Sequence, residues 1–257
     1  MDDLVIAKAS SKPAPALDGL AVAKSAPVTA CRLFDWAPSP FSIKVRGILD
    51  YKKIPYERAS VLQLRNMLAL RRGGVGKAPA LAVGDELIVD STNIAHAVEK
   101  LVPLPSILPA DARERALCNA LEEWADESLY FLGLYFHWHD PEGRKAIPQA
   151  FGRGLAGRAM YRFYLHKILR QLWGQGTSRK SPRHVHDDAV RQLHTIEVLT
   201  RGDAFLLDET PMLCDFALFG QLVYFGRSPA GGRLLKQHPG VGAYMERMKA
   251  LKERSQA

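Results

Sequence analysis

Two serines flank a proline at the head of one segment, "SPFSIKVRGILDY" (39–51), and residues of that kind in that order have two chemistries open to them. A serine followed by proline starts helices: the side-chain oxygen accepts from a backbone N–H two or three residues on, and proline is pre-set for the first turn. The Ser39 hydroxyl can instead donate to an anion held at the helix start, such as a reactive sulfur belonging to another molecule, where the helix dipole adds its field. Ser42 is the fallback donor in the same turn. A second such point is Asp90-Ser91 in "VDSTNI" (89–94), which closes a strand and opens a helix. Ser91 is the expected N-cap there, and uncovered amides beside it can bind an anion. Pro79 in "KAPAL" (77–81) precedes a strand, either as an ordinary trans edge proline or as a cis one.

Other motifs fail on spacing. "GGVGKA" (73–78) lacks the upstream glycine and the Ser/Thr of a phosphate loop. "HWHD" (137–140) and "HVHDD" (184–188) depart from zinc-ligand spacing and read as surface loops, so no metal site is expected. Cys31, Cys118 and Cys214 are odd in number and far apart. They fit a reducing compartment rather than a disulfide framework or a zinc finger.

The elements that must position these residues follow a regular order. At 257 residues with 47% apolar and 24% charged side chains, the chain can bury a real core. Net charge is +8, yet no basic run reaches five, and the densest stretch, "SRKSPRH" (178–184), reads as a solvated loop. Nucleic acid is therefore not an expected partner, while anionic small molecules are. No apolar run approaches the roughly 18 residues of a membrane span. The start "MDDLVIAKAS" is acidic and unlike a signal peptide, so a cytoplasmic protein is expected.

Residues 1–29 are rich in Ala, Ser, Pro and Lys without lasting period, the composition of a mobile tail. Strands are expected at 31–36, 56–61, 78–83 and 86–90, the last two joined by Gly84-Asp85 as a tight hairpin. Helices are expected after the first strand (Phe41, Val45, Ile48 and Leu49 on one face), at 62–72, and along Ile94, Ala97, Val98 and Leu101. This is a βαβ unit followed by a ββα unit. Beyond the linker "VPLPSILP" (102–109) the pattern is all helical, at about 110–137, 148–173, 183–200, 212–226 and 240–254. Leu117, Leu121, Trp124, Ser128, Phe131 and Tyr135 line one side of the first of these. "DFALFGQLVYFG" (215–226) is apolar nearly all round and should be the buried central helix.

With "SPFS" (39–42), "KAPAL" (77–81) and "VDSTNI" (89–94) in that order inside this pattern, residues 31–250 resemble the cytosolic glutathione S-transferase superfamily, in its serine-type branch. "EEWADESLYF" (122–131) further resembles a bacterial, metaxin-like subgroup. The resemblance implies an α/β thioredoxin-like N-terminal domain (30–102) that binds glutathione, and an all-α C-terminal helical bundle (110–257) that binds the second substrate. It implies homodimers as well.

On that resemblance Ser39 or Ser42 contacts the glutathione sulfur. A cis bond before Pro79 lets Ala78 offer backbone groups to the cysteinyl portion, Lys77 suits the glycyl carboxylate, and Asp90 and Ser91 receive the γ-glutamyl group. Asp90 departs from the commoner glutamate. Lowering a thiol from a pKa of about 8.5 by roughly two units needs on the order of 2.7 kcal/mol. A helix start supplies about 0.3–2 kcal/mol and a hydrogen bond to a charged group ~1.5–3, so a donor at a helix start fits the task. The acceptor pocket is expected between the domains, drawn from Trp36, Trp124, Tyr130, Tyr135 and Trp138, which suits an apolar or aromatic electrophile. "LFDWA" (33–37) has no tyrosine for a tyrosine-type mechanism, and position 39 is no cysteine for thiol transfer. Met212 stands where the family caps its buried helix with Ser/Thr, although Asp215 is kept. Two functions stay open: a transferase with glutathione as co-substrate, whose thiolate serves ether cleavage, dehalogenation or isomerisation, and a non-catalytic binding or adaptor protein of the same fold.

Overall fold

A computed structural model describes residues 31–256, apart from 73–75, 148–150, 152–153 and 203. The expected tail over 1–29 lies outside the described residues. Strands β1 (Cys31–Asp35), β2 (Tyr56–Ser60), β3 (Ala80–Val83) and β4 (Glu86–Val89) form one sheet in the order β2-β1-β3-β4. β1 and β2 are parallel, joined through α1 (Pro40–Tyr51). β3 is antiparallel to both β1 and β4, with α2 (Leu64–Arg72) before it and α3 (Ser91–Leu101) after the hairpin. Gly84 takes φ +59° in the hairpin turn, a conformation open to glycine at no steric cost. The element order is the βαβ unit followed by a ββα unit that the periods predict, and the sheet is the thioredoxin-like arrangement that the resemblance implies.

The rest of the described chain is helical. α4 (Ala112–Glu123), a π-helical stretch (Trp124–Leu129), α5 (Tyr130–Leu134) and a second π stretch (Tyr135–His139) make one continuous rod. It is followed by α6 (Pro141–Ala146), α7 (Leu155–Gln175), α8 (Pro182–Leu199), α9 (Leu213–Gly226), α10 (Pro229–Lys236) and α11 (Pro239–Gln256). α9 is the expected central helix, packed by α1, α4, α5, α10 and α11. Its first turn is closed by Asp215, whose carboxylate accepts from the N–H of Met212 and of Leu206, both at 2.9 Å, and from Tyr244 Oη at 3.0 Å. A carboxylate three residues into the helix thus performs the reciprocal half of a capping box without a hydroxyl at the cap.

Several expectations are corrected. The helix expected from 148 begins at Leu155, with α6 as a separate turn before it, and α10 was not expected. His137 and His139 lie in the π-helical end of the rod, not in a surface loop. His137 stacks on Tyr224, ring centroids 4.2 Å apart. His184 and His186 lie in α8, with Ser181 as its N-cap. The buried stripe at the start of the rod also differs. Leu117 is about half exposed, whereas Cys118, Glu122, Ala125 and Asp126 face inward. Two carboxylates are tolerated there because Lys44 of α1 meets them.

Candidate functional site

The strand register brings the three singled-out segments to one edge. Phe34 pairs with Ala80, and Ala80 with Val89. The end of β1 (Asp35) with Trp36 after it, the residue just before β3 (Pro79) and the one just after β4 (Asp90) therefore meet at one end of the sheet, beside the starts of α1 and α3. Crevices beyond strand ends, beside helix N-termini, are where sheets of this kind bind ligands.

Ser39 is the N-cap of α1, with extended backbone (φ −63°, ψ 129°). Its Oγ accepts from the Ser42 N–H at 3.4 Å, and it is 7% exposed. Ser42 is completely enclosed, and its Oγ accepts from the Trp36 N–H at 3.3 Å. Both serines therefore clasp the β1–α1 turn, and of the two only Ser39 reaches the surface. α9 braces the same turn from behind. A Cβ on Gly220 would lie 2.5 Å from the Pro40 carbonyl oxygen, so the two helices touch backbone to backbone. Arg227, at the end of α9, donates to the Pro38 carbonyl at 3.2 Å. Below the turn the buried Asp35 carboxylate accepts from both Arg46 and Arg58, the latter at 2.8 Å.

The Ala78–Pro79 bond is cis, Pro79 is buried, Ala78 is half-buried and Lys77 is exposed. At α3 the cap is Asp90 rather than Ser91. Asp90 holds φ +80°, and its Oδ1 accepts from the N–H of Thr92 (3.0 Å) and of Asn93 (3.3 Å). Ser91 becomes the first helical residue and is buried. The shift by one residue has a plain cause: aspartate caps as well as serine and here stands one place nearer the strand.

The aromatic candidates separate. Tyr130 packs on Phe41 of α1 with the rings tilted at 59° and centroids 4.9 Å apart, which places it beside the Ser39 turn. Burial pushes the Tyr130 phenol up to about 12, helped by Glu127, so it stays protonated. Trp36 lies in the turn itself, half-buried, and Trp124 is half-buried on the rod. Tyr135 and Trp138 are corrected from pocket to core. Tyr135 stacks on His139 at 4.6 Å, and Trp138 donates to Tyr224 Oη at 3.3 Å and packs on Phe151 and Tyr161.

One cluster had not been expected. Lys44 of α1 is fully buried, and its ammonium bonds to Glu122, to Asp126 (2.7 Å) and to Thr92 Oγ1 (3.2 Å). Thr92 also donates to Glu122, and Gln221 Nε2 to Asp126 at 3.0 Å. α1, α3, the rod and α9 are thereby tied together one helical turn behind the site. Burial pushes the Asp126 carboxyl up, and Lys44 offsets part of this. The signal in the sequence is a carboxylate pair at i, i+4 (Glu122, Asp126) on the same face as Cys118 and Ala125; its cation lies 78 residues from Glu122.

Comparisons with known proteins agree with this geometry. Residues 33–106 match the family described as "Glutathione S-transferase, N-terminal domain". Glutathione S-transferase U13 of Arabidopsis thaliana is 33% identical over 97 residues, which cover 36% of this chain and 43% of that protein, so the match spans less than half of that relative. A β-etherase from Sphingobium sp. strain SYK-6 superposes with TM-score 0.63 at 19% identity, covering 88% of this chain and all of that one. A glutathione transferase family member from Pseudomonas fluorescens Pf-5, solved with two glutathione bound, superposes with TM-score 0.58 at 16% identity over 88% and 92%. These define a protein with the glutathione S-transferase fold. Residues 33–106 thus match the glutathione S-transferase N-terminal domain family, and the described chain as a whole has the fold of these proteins.

Proposed function

We propose that the chain is a glutathione transferase in which Ser39 donates to the sulfur of bound glutathione while the start of α1 adds its field. The carrying observation is the meeting of the Ser39 turn, the cis Ala78–Pro79 bond and the Asp90–Ser91 helix start at one sheet edge. In this reading Ala78 pairs through its backbone with the cysteinyl part, Lys77 meets the glycyl carboxylate, and Ser91 takes the γ-glutamyl carboxylate. Asp90 caps α3 through Oδ1 and turns Oδ2 to the ligand's ammonium. Ser39 is preferred over Ser42 because Ser42 is fully enclosed.

The nucleophile comes with the ligand. Cys31 begins β1, at the opposite end of that strand, and Cys118 and Cys214 are buried in the helical domain. The thiolate sulfur bonds to an electrophilic carbon, and the leaving group departs with its electron pair. The acceptor is apolar or aromatic, held against Trp36, Trp124 and the Phe41–Tyr130 pair; ether cleavage, dehalogenation and isomerisation all use such a thiolate. The same reading carries a cytoplasmic homodimer.

The test is the pH dependence of bound-thiolate absorbance. In the wild type the glutathione thiol should titrate about two units below its free value, and in Ser39→Ala at least one unit higher than in the wild type. An unchanged thiolate pKa in Ser39→Ala removes the catalytic assignment. A second reading, binding without turnover, is favoured by one observation: Ser39 is 7% exposed and its oxygen serves the cap. Retention on immobilised glutathione without turnover of a chlorinated aromatic or an aryl ether would select it.

A further inference from the structure

The chain's positive charge is concentrated. Residues 143–186 hold ten of the 35 Lys and Arg and none of the 27 Asp and Glu. With a net charge of +8 overall, that stretch at +10 leaves the remainder at −2. Its centre is α7, whose 21 residues reach about 31 Å. α7 packs on the body through Tyr161, Leu165, Ile168, Leu169 and the fully buried Leu172, a stripe along one side. Apolar side chains also point outward: Leu155 is 84% exposed, Phe163 66% and Trp173 63%. Phe163 stands opposite the packed stripe, with Lys167 and Arg170 beside it on the same outward face at i+4 and i+7. Exposed apolar side chains gathered on one helix mark an interaction surface.

We propose that α7 seats the protein on an anionic lipid surface, lying in the plane of the interface. A second copy of this face would set cation against cation. A polyphosphate groove would satisfy Lys167 and Arg170 but leave Leu155 and Met160 in water. A bilayer of anionic headgroups over acyl chains satisfies both kinds of side chain, since lysine and arginine lay their methylene stems along apolar surface and keep their charge among the headgroups. No described helix is long and apolar enough to cross a membrane, so the contact is peripheral. The expected gain is about fivefold in partitioning per cation brought to an anionic surface.

The experiment is co-sedimentation of the full chain with vesicles of phosphatidylcholine alone and with 30% phosphatidylglycerol. Binding is expected to the anionic vesicles only, and to fall with salt. Lys167→Glu/Arg170→Glu should lower partitioning at least 25-fold. Lys100→Glu/Arg113→Glu, the same change in net charge at exposed positions elsewhere, should lower it less than fivefold. Brominated acyl chains should quench tryptophan emission in the wild type and not in Trp173→Phe, and circular dichroism checks that each variant folds. The proposal is overturned if anionic vesicles do not bind the wild type at low salt, if the two charge-reversal variants behave alike, if Trp173→Phe leaves quenching intact, or if duplex DNA binds through α7 while vesicles do not.

Discussion

Replacing Lys44 with methionine should cost this protein more than removing any exposed charge. The ammonium is fully buried and meets two carboxylates whose side chains are 3% and 11% exposed. Methionine keeps most of the volume, so the loss isolates the charge. Glu122 and Asp126 would be left buried without a cation, and breaking a buried pair by removing one partner costs about 3–5 kcal/mol. For a chain of this size that is a fall in Tm of roughly 6–20 °C, at about 2–4 °C per kcal/mol. The deficit should depend on pH. Burial already raises the Asp126 carboxyl, and Lys44 opposes the rise, so the variant's folded-state pKa lies higher still. A carboxyl raised in the folded state binds its proton more tightly there than when unfolded, so its contribution to stability grows as pH falls. Urea titrations at pH 8 and pH 5.5 should show the larger deficit at pH 8. Lys44→Met/Glu122→Gln/Asp126→Asn, which removes the uncompensated charge, should recover part of it. A loss below about 1 kcal/mol, or an equal loss at both pH values, refutes the reasoning.

Three further outcomes are expected. Gly220→Ala would put a Cβ 2.5 Å from the Pro40 carbonyl and push α9 off the Ser39 turn; overpacking of this kind costs about 1–3 kcal/mol, and calorimetry should also show weaker glutathione binding. Ser42→Ala leaves the Trp36 N–H without its acceptor at 3.3 Å, so denaturation should show a loss of about 1–3 kcal/mol while the bound-thiolate pKa moves less than in Ser39→Ala. Burial raises Asp215 to about 6 despite the bonds from Met212 and Leu206, so between pH 7 and pH 5 the folded state takes up a proton that the unfolded state does not. The stability margin of the wild type over Asp215→Asn should therefore widen by about 1 kcal/mol over that interval, read by urea titration.

The N-terminal half was legible because its signals are local. β1 and β2 end within a residue of their expected bounds, and Gly84-Asp85 marks the hairpin by itself. Ser39 with Pro40 announces α1 for the same reason. The cap of α3 was misplaced by one residue because aspartate and serine both cap, and Asp90 took a positive φ that no pattern of apolar residues reports. An aromatic stripe looks alike in sequence whether it faces a ligand or another helix, and Tyr135 and Trp138 face the core. Only their neighbours His139, Tyr161 and Tyr224 tell the difference.

The inward carboxylates of the rod escape the sequence for a deeper reason. The expected stripe holds at Leu121, Trp124, Phe131 and Tyr135 and fails at Leu117, and periodicity, which treats a carboxylate as a marker of solvent, has no place for Glu122 and Asp126 inside. A buried carboxylate is tolerated only where a partner satisfies it, and here that partner, Lys44, sits on a helix whose own apolar spacing hides it. Neither helix carries the information alone. The pair becomes visible only when α1 and the rod are packed together, and then it fixes their register: sliding either helix by one turn would bury three charges apart from one another. Because α1 begins at Ser39 and Thr92 follows Ser91, the same cluster that sets the domain register also sets the separation of the two helix starts that face the candidate ligand. On this argument Thr92→Val, which removes one hydroxyl from the cluster and touches no ligand, should weaken glutathione binding severalfold while leaving the thiolate pKa of what is bound unchanged. A titration that shows wild-type affinity would separate the cluster from the site.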